Sequence, residues 1–459
     1  MMRLSAIAMW TRGHLRGADA EVAGVSVDSR RVRPGDLYVA LPGEHVDGHD
    51  YVAAAAAQGA SGALVTRRVD CELPQVLVAD ATLALGDLAS AMRAQRDVRV
   101  VGITGSNGKT TVKTLVAGIL VLHGRTHVSA GNHNNELGLP LSLLAMPADT
   151  QFAVFEMGAG KPGDIAYLAG IARPDVGVVT LIAPAHLARL GSVEGVAETK
   201  GALYQALPAD GVAIINADDA FAAFFAGLVG TRRVLHFGLT QPAEVSARDI
   251  VPAEDASDFV LVTPLGETPL RLPLPGRHNV LNALAAAAVA LALDVPLATI
   301  VAGLAGASGV AGRLQRRAAA GGGTLIDDTY NANPGSMAAA IDTLLLAPGE
   351  HWLVLGDMAE LGPAAPALHA ALGERARERG VQRLYAVGPL GAATVAAFGA
   401  GGEHFADQDA LIAALHGQLH AGVTCLLKGS RSAGMERVVA ALAAGASTDI
   451  AEGGAPHAA

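Results

Sequence analysis

The sequence predicts an α/β protein of three domains, on three observations. Short β-branched apolar runs alternate with helical stretches through most of the chain, the pattern of a parallel sheet covered by helices on both faces. One of those strands runs into a helix through a glycine-rich turn at 104–111, the local plan of a phosphate-binding loop. And 459 residues, at roughly 100–200 per domain, suggest about three cores.

Taken in order, the first hundred residues read as mixed α/β. Glu21–Val27, Asp36–Ala40 and Ala63–Val65 are short strand candidates, and Tyr51–Gly59 and Thr82–Gln95 are helices. The polar break Gln95-Arg96-Asp97 sets a first boundary, giving domain 1–97. In the second domain, 98–312, strands at Val98–Thr104, Phe152–Glu156, Val176–Leu181 and Val212–Asn216 alternate with helices at Thr110–Leu122, Asn135–Leu144 and Val193–Ala206. A Pro-rich hairpin follows, with strands Asp258–Thr263 and Thr268–Pro273. The Ala-rich stretch 283–311 is broken by Asp294 and Pro296, so it reads as two soluble helices rather than a membrane span. The Gly-rich segment 303–323 contains the second boundary, near Gly312. Domain 313–459 resumes the alternation, with strands at Thr324–Asp327, Trp352–Leu355, Arg383–Val387 and Thr424–Leu427, and reads as a small Rossmann-like domain. The small, polar tail after Ala444 reads as frayed.

Composition excludes several classes. At 51% hydrophobic and 17% charged the chain can bury real cores and is not a disordered protein. A net charge of −10 argues against nucleic acid as a partner. Met2–Trp10 is too short an apolar run for a secretory signal, and no membrane insertion is expected. Two distant cysteines, Cys71 and Cys425, give neither a disulfide framework nor zinc spacing and fit a reducing cytoplasm. Of 33 basic residues only five are lysines: Lys109, Lys113, Lys161, Lys200 and Lys428. Where Arg is the default cation, a surviving Lys marks a place that can need a primary amine. Chance survival is the competing explanation for any one of them.

The loop itself reads Thr104-Gly105-Ser106-Asn107-Gly108-Lys109-Thr110-Thr111. Its glycines let backbone N–H groups close on phosphates, Lys109 would reach the β- and γ-phosphates, and the Thr110 hydroxyl would hold Mg²⁺. The strict eight-residue pattern fails, because its first glycine would fall at Ile103. Glu156 ends an apolar strand, where an open sheet places its ligands, and can hold Mg²⁺ against a nucleotide. Taken singly, His186 is a loop histidine and Lys200 a solvated helix lysine. Lys113, one turn past the loop, is either an echo of the loop's motif or a simple surface charge.

Taken together, Thr104–Thr111, Glu156-Met157-Gly158, the His186 loop and Lys200-Gly201 resemble the Mur ligase family of ATP-dependent amide-forming enzymes of peptidoglycan synthesis, over essentially the whole chain. The resemblance is closest to the branch that joins D-alanyl-D-alanine to UDP-N-acetylmuramoyl-tripeptide. It rests on Val27-Asp28-Ser29-Arg30 with Asp47-Gly48-His49-Asp50, Gly131–Gly138, Asp327–Pro334 and Gly356–Gly362. The Asp-Asn-Pro-Arg motif of a sibling branch is missing. The resemblance implies a UDP-sugar-binding first domain, a central ATP-binding domain and a Rossmann-like third domain, in a cytoplasmic enzyme acting as a monomer.

It also implies roles. Gly105, Ser106, Asn107, Gly108, Lys109, Thr110 and Thr111 would hold ATP phosphates, Asn279 and Asn282 the adenine, and Arg313 and Asp328 the phosphates and ribose. Thr110 and Glu156 would hold one Mg²⁺; His186 and Lys200, the latter carboxylated by CO₂ to a carbamate, would serve a second. Substrate contacts would come from Ser29, Arg30, Asp47, Asn134, Asn135, Tyr330, Asn331, Asn333, Asp357, Glu360, Lys428 and Arg431. Two departures flank the metal site: Ala159-Gly160-Lys161 where the family reads Ala-Asn-His, and Ala183 where it reads Gly. Other ligases of the same family, of the folylpolyglutamate or cyanophycin type, and a non-catalytic precursor-binding protein are the alternatives.

Overall fold

The computed structural model describes residues 2–43 and 46–445. The tail expected to fray lies, from 446 on, outside the described residues. The architecture is the predicted one: α/β, built on three main sheets.

The central sheet has six strands, all parallel, in the order Arg233–Phe237, Val212–Asn216, Val176–Val179, Arg99–Thr104, Phe152–Glu156, Thr126–Val128. Alternate side chains of a strand face opposite sides, and the two cores follow. Val101, Ile103 and Val154 pack with Val112, Val116 and Ile119 of helix Lys109–Leu120 and with helix Arg277–Ala292. Val100, Ala153 and Phe155 pack on the other face against Ile165 and Leu168 of helix Asp164–Ala172 and Leu203 of helix Val193–Gln205. Ala dominates helix Arg277–Ala292, and residues 282–292 are buried all round. Small side chains let it sit between the sheet and the antiparallel strands Ser246–Pro252, Ser257–Thr263 and Gly266–Leu272. The first of those strands was not expected from sequence.

The third sheet runs Gln315–Ala318, Thr324–Asp327, Val423–Lys428, Glu350–Leu355, Arg383–Val387, Gly402–Phe405, parallel except for its first strand. The N-terminal sheet has five strands, from His14–Arg16 to Gln75–Leu77. Helix Ala81–Ala94, capped by Asp80 accepting from the Leu83 amide, places Ala89 in a central-domain core.

Two expected elements differ. The strand over 21–27 splits into Glu21–Val22, paired with Met2–Arg3, and Gly24–Ser26, which belongs to the N-terminal sheet. The helix expected from Asn135 starts at Gly138, whose amide is taken by the Asn135 side chain (2.8 Å). An Asn carbonyl that captures a backbone donor competes with the helix, and it leaves Asn134 free to reach the site.

Candidate active site

The phosphate loop follows strand Arg99–Thr104 and opens helix Lys109–Leu120. Gly105 and Gly108 have φ of 146° and 83°. A Cβ at either would lie 1.9 Å from Thr180 Oγ1 or 2.4 Å from Asn282 Oδ1, so only glycine fits. Ser106 ties the loop to the next strand end: its amide donates to the Leu181 carbonyl, its hydroxyl to the Ala183 carbonyl (3.0 Å), and it accepts from the Ala183 amide. The Ala183 departure is therefore accommodated through its backbone. Lys109 Nζ donates to the Gly105 carbonyl at 2.8 Å, and burial pushes its pKa down.

Parallel pairing sets Glu156 beside Ile103, at the mouth of the loop. Its carboxylate accepts from Thr110 Oγ1 and from Asn134 Nδ2, both at 2.9 Å. Burial would raise its pKa, but Lys109, Lys113 and those two hydrogen bonds hold it below the ordinary carboxylate value. Lys113 is no surface charge. It is buried, donates to the Ser129 and Gly131 carbonyls (3.1 and 2.8 Å) and sits 3.5 Å from Glu156. Its spacing one turn past Lys109 was the available signal, since i and i+4 share a helix face.

Lys200 is 1% exposed on helix Val193–Gln205. Burial, and then Lys109, push its pKa far below that of a free lysine, and no acidic partner stands against it among the described residues. His186 has a left-handed backbone (φ 55°) and meets Glu360 of the third domain, itself at φ 61°. Burial lowers the histidine pKa, Glu360 opposes the shift, and Lys109 and Lys200 add to it.

A cleft of about 610 Å³ collects these groups. From the central domain it is lined by Ser106, Asn107, Gly108, Lys109, Thr111, Asn134, Asn135, Glu156, His186, Lys200, Asn279 and Asn282, with Lys161 at the departed position. From the third domain come Arg313, Asp328, Tyr330, Asn331, Asn333, Glu360 and Lys428. Asn107 and Asn333 exchange side-chain amide hydrogen bonds across it (3.1 and 2.6 Å), and Asn333 also caps helix Pro334–Leu344. Arg313 reaches Thr110 Oγ1 at 2.9 Å. Asn282 donates to Asn279, which donates to the Pro275 carbonyl. Lys428, expected on substrate or nucleotide, has its ammonium on the Asp328 carboxylate (2.6 Å) and the Asn331 carbonyl (2.9 Å).

Other expected residues do not line the cleft. Asp357 supports third-domain loops through the Leu390 and Ser430 amides. Arg431 pairs with Glu436 on the surface. In the N-terminal domain Arg30 pairs with Asp28 beside Ser29, and Asp47 accepts from His49 and Arg67. Among the described residues no three His, Cys, Asp or Glu side chains gather as a metal cage. The donor set beside the loop is one carboxylate, Glu156, and one hydroxyl, Thr110. That set suits Mg²⁺, which is held by one or two protein oxygens together with substrate phosphates and water.

A phosphate loop faced across a cleft by charged groups from a second α/β unit is how nucleotide-dependent enzymes enclose a triphosphate. The chain belongs to the Mur ligase family. Its residues 21–96 match the profile "Mur ligase family, catalytic domain", 103–290 "Mur ligase middle domain" and 312–431 "Mur ligase, glutamate ligase domain". It is 44% identical over 442 residues, 96% of this chain and 98% of the relative, to the UDP-N-acetylmuramoyl-tripeptide--D-alanyl-D-alanine ligase of Escherichia coli. The crystal structure of MurF from Acinetobacter baumannii superposes with a TM-score of 0.90 at 36% identity, covering 95% of this chain and 97% of that one. MurF ligase from Thermotoga maritima in complex with ADP superposes with a TM-score of 0.81 at 30% identity, covering 91% and 96%.

Proposed function

We propose that this chain joins D-alanyl-D-alanine to UDP-N-acetylmuramoyl-tripeptide at the expense of ATP. The products are UDP-N-acetylmuramoyl-pentapeptide, ADP and phosphate, and the step belongs to peptidoglycan synthesis. The observation that carries this reading is the near-full-length 44% identity to a ligase of that name. The shared central and third-domain cleft supports it.

In the reaction a tripeptide carboxylate oxygen attacks the γ-phosphorus of ATP. The bond from that phosphorus to the β,γ-bridging oxygen breaks, and ADP leaves with the electron pair. The amine of D-alanyl-D-alanine then attacks the acyl carbon. The carbon–oxygen bond to phosphate breaks, phosphate leaves, and the amine gives up a proton. Lys109 and the amides of 105–111 hold the phosphates, Asn279 and Asn282 the adenine, and Arg313 and Asp328 close on phosphates and ribose. Thr110 and Glu156 would hold Mg²⁺, with His186 and Lys200 serving a second ion; bound there, Mg²⁺ neutralises charge on the phosphate oxygens. Closing the third domain over the cleft keeps water from the acyl phosphate.

Lys200 carries CO₂ as a carbamate in this reading. The amine adds to CO₂ and releases a proton, leaving one negative charge shared over two oxygens, a donor pair suited to a hard cation. Support comes from an amine that is buried, shifted toward its neutral form and, among the described residues, without an acidic partner. Ser29, Arg30 and Asp47, away from the cleft, take the UDP end of the long substrate. Asn134, Asn135, Tyr330, Asn331, Asn333 and Glu360 face its peptide end and the dipeptide. Divisions near 97 and 312 are supported by the sheets, none of which draws strands from both sides of either point. Two free cysteines fit a cytoplasmic enzyme, and no described helix is long and apolar enough to cross a membrane.

The test is phosphate release from ATP with UDP-N-acetylmuramoyl-tripeptide and D-alanyl-D-alanine, supplied singly and together. Release is expected only with both. No release under any combination would favour a binding protein.

A further inference from the structure

Arg313 is mounted in an unusual way. The residues on either side of it, Gly312 and Leu314, both have left-handed backbones, with φ of 68° and 52°. Leucine adopts that conformation only at a cost, so its surroundings must hold it there. They do so at two points. The Tyr330 amide donates to the Gly312 carbonyl (3.1 Å), and the Leu314 amide donates to Asp328 Oδ1 (3.3 Å). Asp328 is in turn anchored by Lys428, which is 3% exposed.

The turn fixes where the arginine starts; it does not fix where the guanidinium ends. That group's one hydrogen bond among the described residues crosses to Thr110 of the phosphate loop (2.9 Å), and its Nε is buried without a partner. Within its own domain it is held by a ring face: Cζ lies 4.3 Å from the Tyr330 centroid. A cation over an aromatic face is attracted and keeps its N–H edges free.

We propose that Tyr330, beyond any contact with the peptide end of the substrate, is a positioning residue acting through Arg313: its ring holds the guanidinium plane so that docking of the third domain delivers Arg313 to the phosphate loop. The inference rests on the ligase reading for what the loop holds, but its test does not need turnover. The same turn that carries Arg313 is pinned by the loop that carries Tyr330, so the arginine's mount and its stacking face form one unit.

The test is a double-mutant cycle on Mg·ATP affinity, read by titration calorimetry on the full chain, with kcat as a second readout. Tyr330→Leu should weaken Mg·ATP binding about fivefold or more, the size of a partly desolvated cation–π contact. Tyr330→Phe keeps the ring face and should lose several-fold less. In the Arg313→Ala background, Tyr330→Leu should change affinity by less than about twofold, because nothing remains to be positioned. Equal losses in both backgrounds, or a Phe variant as weak as Leu, would overturn the proposal. Thermal unfolding checks each variant; if Tyr330→Leu does not fold, Tyr330→Met carries the same cycle. If the wild-type chain binds Mg·ATP yet releases no phosphate with both co-substrates, the ligase reading falls while the cycle still decides this one.

Discussion

In the phosphate loop the backbone does the holding. Eight consecutive residues between a strand and a helix specify it, and glycines at 105 and 108 sit where no Cβ fits. On the third-domain surface across the cleft, side chains do the holding, and their partners are far away in sequence. Lys428 reaches Asp328 over 100 residues, His186 meets Glu360 over 174, and Asn107 pairs with Asn333 over 226. One half of the site is a local structure that exists once its strand and helix form. The other is complete only when the third domain has folded and met the central one.

The largest expected effect lies on the central-domain side, at Lys200 of helix Val193–Gln205. Lys200→Ala should lower the ligation rate about a thousandfold, the scale of losing a charge-stabilising group from a closed site. A short carboxylate added in solution should restore part of it. Lys200→Arg should be as inactive as Ala, because a guanidinium cannot take up CO₂. Full activity of Lys200→Arg in steady-state phosphate release would sink the carbamate role. Thermal unfolding of the variants should show the fold retained.

On the assembled side the first loss should be stability. Lys428→Met leaves the Asp328 carboxylate in a site where both side chains are nearly enclosed. Removing one partner of such a pair costs about 3–5 kcal/mol. Three residues on, Arg431 pairs with Glu436 at 68% and 48% side-chain exposure, and Arg431→Ala should cost about 1 kcal/mol or less. Urea unfolding of the two variants measures the contrast. Similar midpoints would mean that Lys428 is not a structural anchor.

That contrast also explains what could be read from the sequence. The parallel alternation, the loop and the strand-end Glu156 were legible because each is written in contiguous residues with a known periodicity. Asp357, Arg431 and Lys428 looked alike as charged residues in motif-like loops. Which one lines the cleft and anchors a neighbour, which one supports a turn and which one stays on the surface depends on partners that no local pattern names. Lys113 was ambiguous for the same reason: its acceptors, Ser129 and Gly131, come from the loop that follows the next strand, Thr126–Val128. Helix Asn135–Leu144 was overrun at its start because a single side-chain hydrogen bond outweighed propensity.

A smaller effect depends on pH, at His278 in the first turn of helix Arg277–Ala292, where it lines the cleft. Burial lowers the His278 pKa from 6.5 to about 4, so its ring stays neutral in the fold. The unfolded chain takes up that proton below about pH 6.5. The stability His278 contributes is therefore complete above pH 6.5 and is lost as pH falls from 6.5 toward 4. Between pH 7 and pH 5 the loss should be about 2 kcal/mol. His278→Gln should flatten that part of the urea-midpoint profile; an unchanged slope would show that the histidine is already hydrated.

The smallest effect on the fold falls in the N-terminal domain, and it tests whether substrate recognition divides as the cleft does. Arg30 grips Asp28 with two hydrogen bonds of 2.9 Å, yet its side chain is 74% exposed. An exposed pair of this kind contributes roughly 0–1 kcal/mol, so Arg30→Ala should barely move the unfolding midpoint. Arg30 lies outside the ATP cleft, so Mg·ATP affinity should hold as well. If Arg30 takes the UDP end of the substrate, KM for UDP-N-acetylmuramoyl-tripeptide should rise about tenfold, the size of a charge-assisted phosphate contact. A variant that weakens ATP and the UDP substrate equally would mean that the N-terminal domain acts through the cleft. A rise confined to the UDP substrate would mean that a nucleotide is read at each end of one elongated site, one held by backbone amides and the other by an exposed arginine.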